Sequence, residues 1–149
     1  MTNGTPENNG SSENNGTLLG WGPDKRVLAF NLALIKRVVV KKICDEQQAL
    51  LTIVPPALSG TSLIEIVLRA MAGEKFENIG PGEDFTEEML VFCGFQNDDL
   101  DAFISNYKAS GIPRVELKAV LTHFNADWTP RKLCEELNKE KEAFEKQNR

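Results

Sequence analysis

The sequence predicts an α/β fold in which a four-stranded sheet is covered by helices on both faces. Four short apolar segments alternate with segments of helical periodicity from residue 27 onward, and this alternation is typical of α/β proteins. Two of the apolar segments, residues 27–30 and Met89–Cys93, have no polar position, as expected for strands that are buried on both sides. A ferredoxin-like plait, with helices on one face only, is the alternative fold.

The first half of the chain contains two of the predicted strands, and a helix follows each of them. Apolar residues recur at helical spacing over residues 33–46, although a run of three β-branched valines weakens that prediction. The second strand covers residues 50–54. Thr61 or Ser62 can cap the next helix, because a hydroxyl accepts a hydrogen bond from a free amide of the first turn. Gly73 is placed to end this helix in the left-handed conformation.

The second half repeats this alternation, beginning with the third strand. Asn97 is predicted as the N-cap of the third helix, since two aspartates follow it where the helix dipole favours negative charge. Gly111 is placed to end that helix. The fourth strand is predicted over residues 115–121. Thr129 caps the last helix, and Pro130 takes its first position, where the missing N–H costs nothing.

The composition limits the class of protein. The chain has 17 Lys and Arg against 22 Asp and Glu, a net charge of −5, so it lacks the basic excess that binding to a phosphate backbone needs. No apolar run reaches the ~18–20 residues that span a bilayer, and no signal-peptide pattern opens the sequence. The three Cys follow no disulfide pattern. We therefore expect a cytoplasmic protein with neither a membrane nor nucleic acid as its partner.

The first 26 residues differ sharply from the rest. They are mostly Asn, Gly, Ser, Thr and Glu, with few large apolar side chains. Such a segment cannot bury enough apolar area to offset its chain entropy. We predict a disordered tail over residues 1–26 and a single α/β domain over residues 27–149.

Several segments of the second half, over about 60 residues from Met89 onward, carry a resemblance to a known family. They are Met89-Leu90-Val91-Phe92-Cys93-Gly94-Phe95, Gly111-Ile112-Pro113, Leu117-Lys118-Ala119-Val120-Leu121-Thr122, Asn125, Trp128-Thr129, Leu133 and Glu136-Leu137. The family that they resemble is the bacterial domain of unknown function 3783, and the resemblance implies no activity and no site residues.

Motifs that hold cofactors or metals are absent from the sequence. There is no Walker loop, no Gly-x-Gly-x-x-Gly, no His-Glu-x-x-His and no Cys-x-x-Cys. The cysteines at 44, 93 and 134 and the histidine at 123 do not have zinc-ligand spacing. We therefore expect no cofactor, no metal and no catalytic residues.

The ends of the strands are the place where a ligand is expected. If all four strands were parallel, their carboxyl ends would share one edge, where open α/β sheets bind ligands. Four segments would then meet there: Asn31, Pro55-Pro56, Gly94 to Asn97, and Thr122 to Asn125. Cys93 and His123 would lie on neighbouring strand ends, where a thiolate–imidazole pair is conceivable, but an apolar strand favours a structural role for this thiol.

Five residues near the fourth strand are the candidate ligand-binding residues: Lys118, Thr122, His123, Asn125 and Trp128. Lys118 interrupts an apolar strand, so its ammonium either reaches a ligand or protects a sheet edge. Trp128 precedes the cap of the last helix, where it either packs on the domain or stacks on a ligand.

The leading hypothesis for function is a binding or regulatory domain that recognises an unidentified protein or small molecule. An enzyme, or a binder of a nucleotide or other small ligand, at the carboxyl edge of the strands is the alternative. A third hypothesis is association with RNA through the basic cluster of residues 36–42, which a solvated helix face explains as well. The oligomeric state stays open.

Overall fold

The structure is a computed structural model that describes residues 24–76 and 85–148. Residues 1–23, which form most of the predicted disordered tail, lie outside the described part, so that prediction stays untested. The strands and helices in chain order are β1 (Lys25–Phe30), α1 (Leu34–Glu46), β2 (Ala49–Val54), α2 (Leu63–Met71), β3 (Met89–Cys93), α3 (Asn97–Ala109), β4 (Leu117–Val120) and α4 (Pro130–Gln147).

The four strands form one mixed sheet in the order β2-β1-β3-β4. β1 is parallel to β2 and β3 is parallel to β4, whereas β1 and β3 pair antiparallel, with Leu28 opposite Val91. The prediction of an α/β fold with four strands is confirmed. The ferredoxin-like alternative does not fit, because its βαβ unit is split, while here both strands of each unit are hydrogen-bonded neighbours.

The order of elements repeats, since β1-α1-β2-α2 is followed by β3-α3-β4-α4. The helices α1 and α3 each have 13 residues. A residue with positive φ stands three positions before each of them, Asn31 at 56° and Gly94 at 77°. Gly tolerates this conformation, and Asn visits it more readily than most other residues do. The two halves thus share one βαβα order of elements, and they pair through β1 and β3.

Two clusters of buried side chains make up the core. Side chains of β1 alternate between them, with Leu28 and Phe30 in the first and Val27 and Ala29 in the second. The first cluster also includes residues of α2 and α4, and the second includes residues of α1 and α3. This division supports the expected covering of the sheet by helices on both faces, which stays a prediction.

The helix starts follow the predicted signals with one exception. The hydroxyls of Ser62 and Thr129 accept hydrogen bonds from amides of α2 and α4, at 3.3 and 3.1 Å. The N-cap of α3 is Gln96 rather than Asn97. The backbone N–H of Gln96 donates to the carboxylate of Asp99 at 3.0 Å, and this bond fixes the helix start one residue earlier. In the described ranges, no helix has the length and apolar character to cross a membrane.

The predicted apolar face of α1 is only partly buried. Val40, Ile43 and Cys44 are buried, whereas Leu34 and Val38 are 75% and 59% exposed. The β-branched run therefore lies across the boundary between core and solvent.

Candidate functional site

The four strands do not share one carboxyl edge. Because β1 pairs antiparallel with β3, Asn31 and Pro55-Pro56 end their strands at one side of the sheet. The segments Gly94 to Asn97 and Thr122 to Asn125 follow strands that run the other way. The expectation that all four segments meet is therefore wrong: the first two lie at one side of the sheet and the last two at the other.

The turn after β4 is held by its own side chains. The amide oxygen of Asn125 accepts from the N–H of Thr122 at 2.9 Å, and its amide nitrogen donates to the carbonyl of Val120 at 3.0 Å. The hydroxyl of Thr122 accepts from the N–H of Phe124 at 3.2 Å. His123 is exposed on this turn. Ligand binding by these residues stays a prediction, but Asn125 already uses both ends of its amide to close the strand.

Trp128 joins the start of α4 to the start of α2. Its ring is partly buried against the first core cluster, and the ammonium of Lys132 lies 4.9 Å from the ring centroid. Its carbonyl accepts from the N–H of Leu63 at 2.8 Å. These contacts suit the packing role considered for this residue, and its stacking on a ligand stays a prediction.

The burial of Cys93 favours the structural role expected for its thiol. Its side chain is 1% exposed, and burial raises the pKa of the thiol to about 12, against a smaller opposing effect of the Arg26 charge. A thiol must lose its proton to attack, and His123 is exposed on the turn beyond β4. In the part of the chain that the structure describes, no group of His, Cys, Asp and Glu could hold a metal ion.

Lys118 lies on β4, which is an edge strand of the sheet. It stands opposite Leu90 in the pairing with β3. Its side chain is half-buried, and its ammonium donates to the carbonyl of Val115 at 2.6 Å. Both interpretations of this lysine therefore stay open, since a half-buried ammonium at an edge can protect the strand and still face a ligand.

A cleft of about 210 Å³ lies beside this lysine, between α3 and β4. We call it the Lys118 cleft. Its apolar side is formed by Leu90, Phe103, Ile104, Tyr107 and Val115, and its charged groups are Lys108, Arg114 and Lys118. Phe103 is held in place by edge-to-face contacts with two other phenylalanines.

The charged groups of the Lys118 cleft are all cationic. Burial is the main cause that lowers the pKa of Lys118, and the charges of Arg114 and Lys108 lower it further, while Glu116 opposes them. Arg114 is partly neutralised by Glu116, 3.0 Å away. Burial is thus the main cost of this charge, the two neighbouring cations add to it, and a bound anion would offset both.

A second cleft, of about 500 Å³, lies on the α4 side of β4 and also includes Lys118. Its other charged groups are Arg114, Lys141, Glu116, Glu140 and Glu145. Because acids and bases alternate there, this cleft selects neither sign of charge. The Lys118 cleft is the better candidate for recognising a charged ligand.

The basic cluster on α1 is largely occupied by internal partners. Lys36 is paired with Glu88 and donates to the carbonyl of Arg114, and Lys41 is paired with Asp45. Arg37 donates to the carbonyl of Leu32 at 2.9 Å. Partners of this kind favour the solvated helix face over an RNA-binding patch, and the expectation of no nucleic-acid partner stays a prediction.

A family model matches part of the chain, and this part includes the Lys118 cleft. Residues 88–144 match the family described as "Domain of unknown function (DUF3783)". The resemblance seen in the sequence is confirmed for this part of the chain, which contains β3, α3, β4 and most of α4. No curated protein and no solved structure matches the chain.

The sequence indicated one of the three cations of the Lys118 cleft and not the others. Lys118 was visible because it breaks an apolar strand. The other two cations carry no such signal. A basic residue in the last turn of a helix, such as Lys108 in α3, is explained by the helix dipole, and Arg114 lies in the segment after that helix. Only the packing of α3 beside β4 brings the three together.

Proposed function

We propose that this domain acts by binding rather than by catalysis, and that the Lys118 cleft holds a small organic anion with an apolar or aromatic body. The observation that carries the proposal is the combination of three cations with an apolar lining in one cleft. Its volume, about 210 Å³, is below the ~300 Å³ at which most sites for drug-sized ligands begin. The ligand is therefore about the size of one aromatic ring with a carboxylate or phosphate.

The lining residues suit recognition more than chemistry. They include no carboxylate, histidine or cysteine, so lysine and tyrosine are the general acids and bases that the cleft contains. The hydroxyl of Tyr107 is already engaged, since it donates to the carbonyl of Pro113 at 2.8 Å. The Lys118 ammonium has three donors, of which one bonds to Val115, and the others can reach an anion.

The test compares two probes of one shape, benzoate and the neutral benzamide. We expect benzoate to shift the amide NMR signals of Tyr107, Val115 and Lys118 and to bind more tightly than benzamide. Lys118→Met should weaken benzoate binding about tenfold, as for the loss of one charged hydrogen bond. Lys146→Met, an equal change of charge in the last turn of α4, should have no effect. Equal binding of the two probes, or of the two variants, would contradict the proposal.

A second candidate is an enzyme that uses the Lys118 cleft, although this cleft lies beside β4 and not at the carboxyl ends of the strands, where an enzyme site was expected. A half-buried lysine beside other cations is a better nucleophile than a free one, because more of it is unprotonated. Its amine would add to a carbonyl carbon and lose water to form an iminium. Pyruvate with cyanoborohydride should then modify Lys118 alone by reducing that iminium to a secondary amine. Equal modification of Lys146, read by mass spectrometry, would count against this candidate.

We also propose that the protein is cytoplasmic. Its three cysteines are free and buried, and free thiols are typical of reducing compartments. Fractionation of the native cells, followed by immunoblotting, should recover the chain with cytoplasmic proteins. Recovery with a secreted fraction would contradict this location.

A further inference from the structure

The outer edge of β2 is unusually open for pairing with another strand. β2 pairs with β1 on one side, and no strand of the described ranges lies on its other side. Its six residues, Ala49–Val54, contain no charge and no proline, and Leu50 is 49% exposed. Natural edge strands are normally protected by shortness, by lysine or by proline. β4, the equivalent strand of the second repeat, has four residues and carries Lys118.

A cleft of about 520 Å³ runs along this edge. We call it the β2 edge cleft. Leu51, Thr52 and Ile53 line it from the strand, and Arg26, Arg37 and Lys75 reach it from β1, from α1 and from the segment after α2. Three cations from three different elements therefore converge on an open strand.

These cations have no acidic partners among the described residues. Arg26 donates to the hydroxyl of Thr52 at 2.7 Å, and Arg37 donates to a backbone carbonyl at 2.9 Å. Lys75 is exposed. The acid of the lining is Glu74, and its carboxylate is paired with Arg69, whose Nε lies 2.8 Å away. The β2 edge cleft thus keeps a positive charge that the fold itself does not neutralise.

We propose that β2 binds an extended acidic segment of another protein, which adds to the sheet as a fifth strand. Backbone hydrogen bonds to the free edge would supply affinity, and carboxylates of the added strand would meet Arg26, Arg37 and Lys75. The charge also argues against a second copy of this chain, because pairing β2 with β2 would bring two sets of these cations together. This surface lies at the opposite edge of the sheet from the Lys118 cleft and does not depend on it.

The test uses a synthetic peptide that spans β2, with Glu at alternate positions and Val or Thr between them. We expect the peptide to bind, as measured by fluorescence anisotropy, and to slow hydrogen exchange of the β2 amides that do not bond to β1. A peptide with Lys in place of Glu should not bind. A peptide N-methylated at alternate residues keeps the charge but loses ladder donors, so it should bind at least about tenfold more weakly, as for one or two lost hydrogen bonds.

A pair of variants separates this site from general electrostatics. Lys75→Glu should weaken binding by up to about fivefold, the upper range for one exposed charge pair, whereas Lys146→Glu makes the same change of net charge in α4 and should leave binding unchanged. Equal loss in the two variants, equal binding of the N-methylated peptide, or no binding at millimolar peptide in low salt would each overturn the proposal. The proposal would also be overturned if the outer β2 amides were already protected from hydrogen exchange without peptide, whether by residues 1–23 of the same chain or by a second copy.

Discussion

Replacing Gly94 with alanine tests whether the turn after β3 touches the start of β1. Gly94 has a φ of +77°, and a Cβ there would lie 2.9 Å from the carbonyl oxygen of Asp24 and 3.6 Å from the Cα of Lys25. Gly111, at the end of α3, has almost the same φ, +76°, but a Cβ there would have no atom within 4 Å. The two glycines therefore share one backbone strain and differ in one contact.

The magnitudes follow from these two terms. An alanine in the left-handed conformation costs about 1–2 kcal/mol, which a stiffer unfolded chain offsets by about 0.4–1 kcal/mol. We expect Gly111→Ala to lower the free energy of unfolding by about 1 kcal/mol. Gly94→Ala adds a contact with backbone that no side-chain rotation can relieve. A forced shift of this kind costs about 1–3 kcal/mol, so the total loss is about 2–4 kcal/mol.

Urea unfolding, followed by circular dichroism, measures both variants. Gly60→Ala is a further control, since a Cβ at Gly60 would have no atom within 4 Å and its backbone is not in the left-handed region. The reasoning would be refuted if Gly94→Ala and Gly111→Ala lost the same stability. That result would mean that the turn after β3 does not press against the start of β1.

Three further predictions concern burial, the turn after β4 and the start of α4. The pKa of Cys93 is raised from 9.0 to about 12, so between these pH values the folded state keeps a proton that the unfolded chain loses. The stability that this thiol contributes is therefore complete below pH 9 and is lost toward pH 12. The free energy of unfolding should therefore fall less steeply above pH 9 in Cys93→Ala than in the unchanged protein, by up to about 1.4 kcal/mol per pH unit. If the urea midpoints of the two proteins fell in parallel with pH, this prediction would be wrong. Asn125→Ala should lower the free energy of unfolding by about 1–3 kcal/mol in urea, because the Thr122 N–H and the Val120 carbonyl lose their partner. Unchanged stability would mean that Asn125 does not hold the turn after β4. Thr129→Ala should cost about 1 kcal/mol in the same assay, as for the loss of an N-cap that accepts from the Lys132 amide. Unchanged stability would mean that this cap does not stabilise α4.

Local signals were sufficient to place most of the elements. Of the two predicted caps Thr61 and Ser62 the structure uses Ser62, Thr129 is the observed cap of α4, and Met89–Cys93 is a strand at the predicted bounds. These features depend on neighbouring residues, so the sequence carries them directly. The fourth strand is shorter than predicted, Leu117–Val120 rather than residues 115–121, because strand ends are set by where the partner strand stops pairing.

The direction of the strands was not visible in the sequence. An apolar strand has the same pattern whichever way it runs, and the antiparallel pairing of β1 with β3 joins residues more than 50 positions apart. This pairing divided the expected common edge into two sides. The two halves share one order of elements, although equivalent positions such as Asn31 and Gly94 have different side chains.

The sequence by itself determined the fold class, the element order, the family resemblance of the second half and the importance of Lys118 as a break in an apolar strand. The tertiary structure decided which charges share a cleft. Lys108 and Arg114 meet Lys118 only because α3 packs beside β4, and Arg26, Arg37 and Lys75 meet at β2 from three separate elements. Charge clusters built from distant residues depend on packing, and no local pattern encodes them.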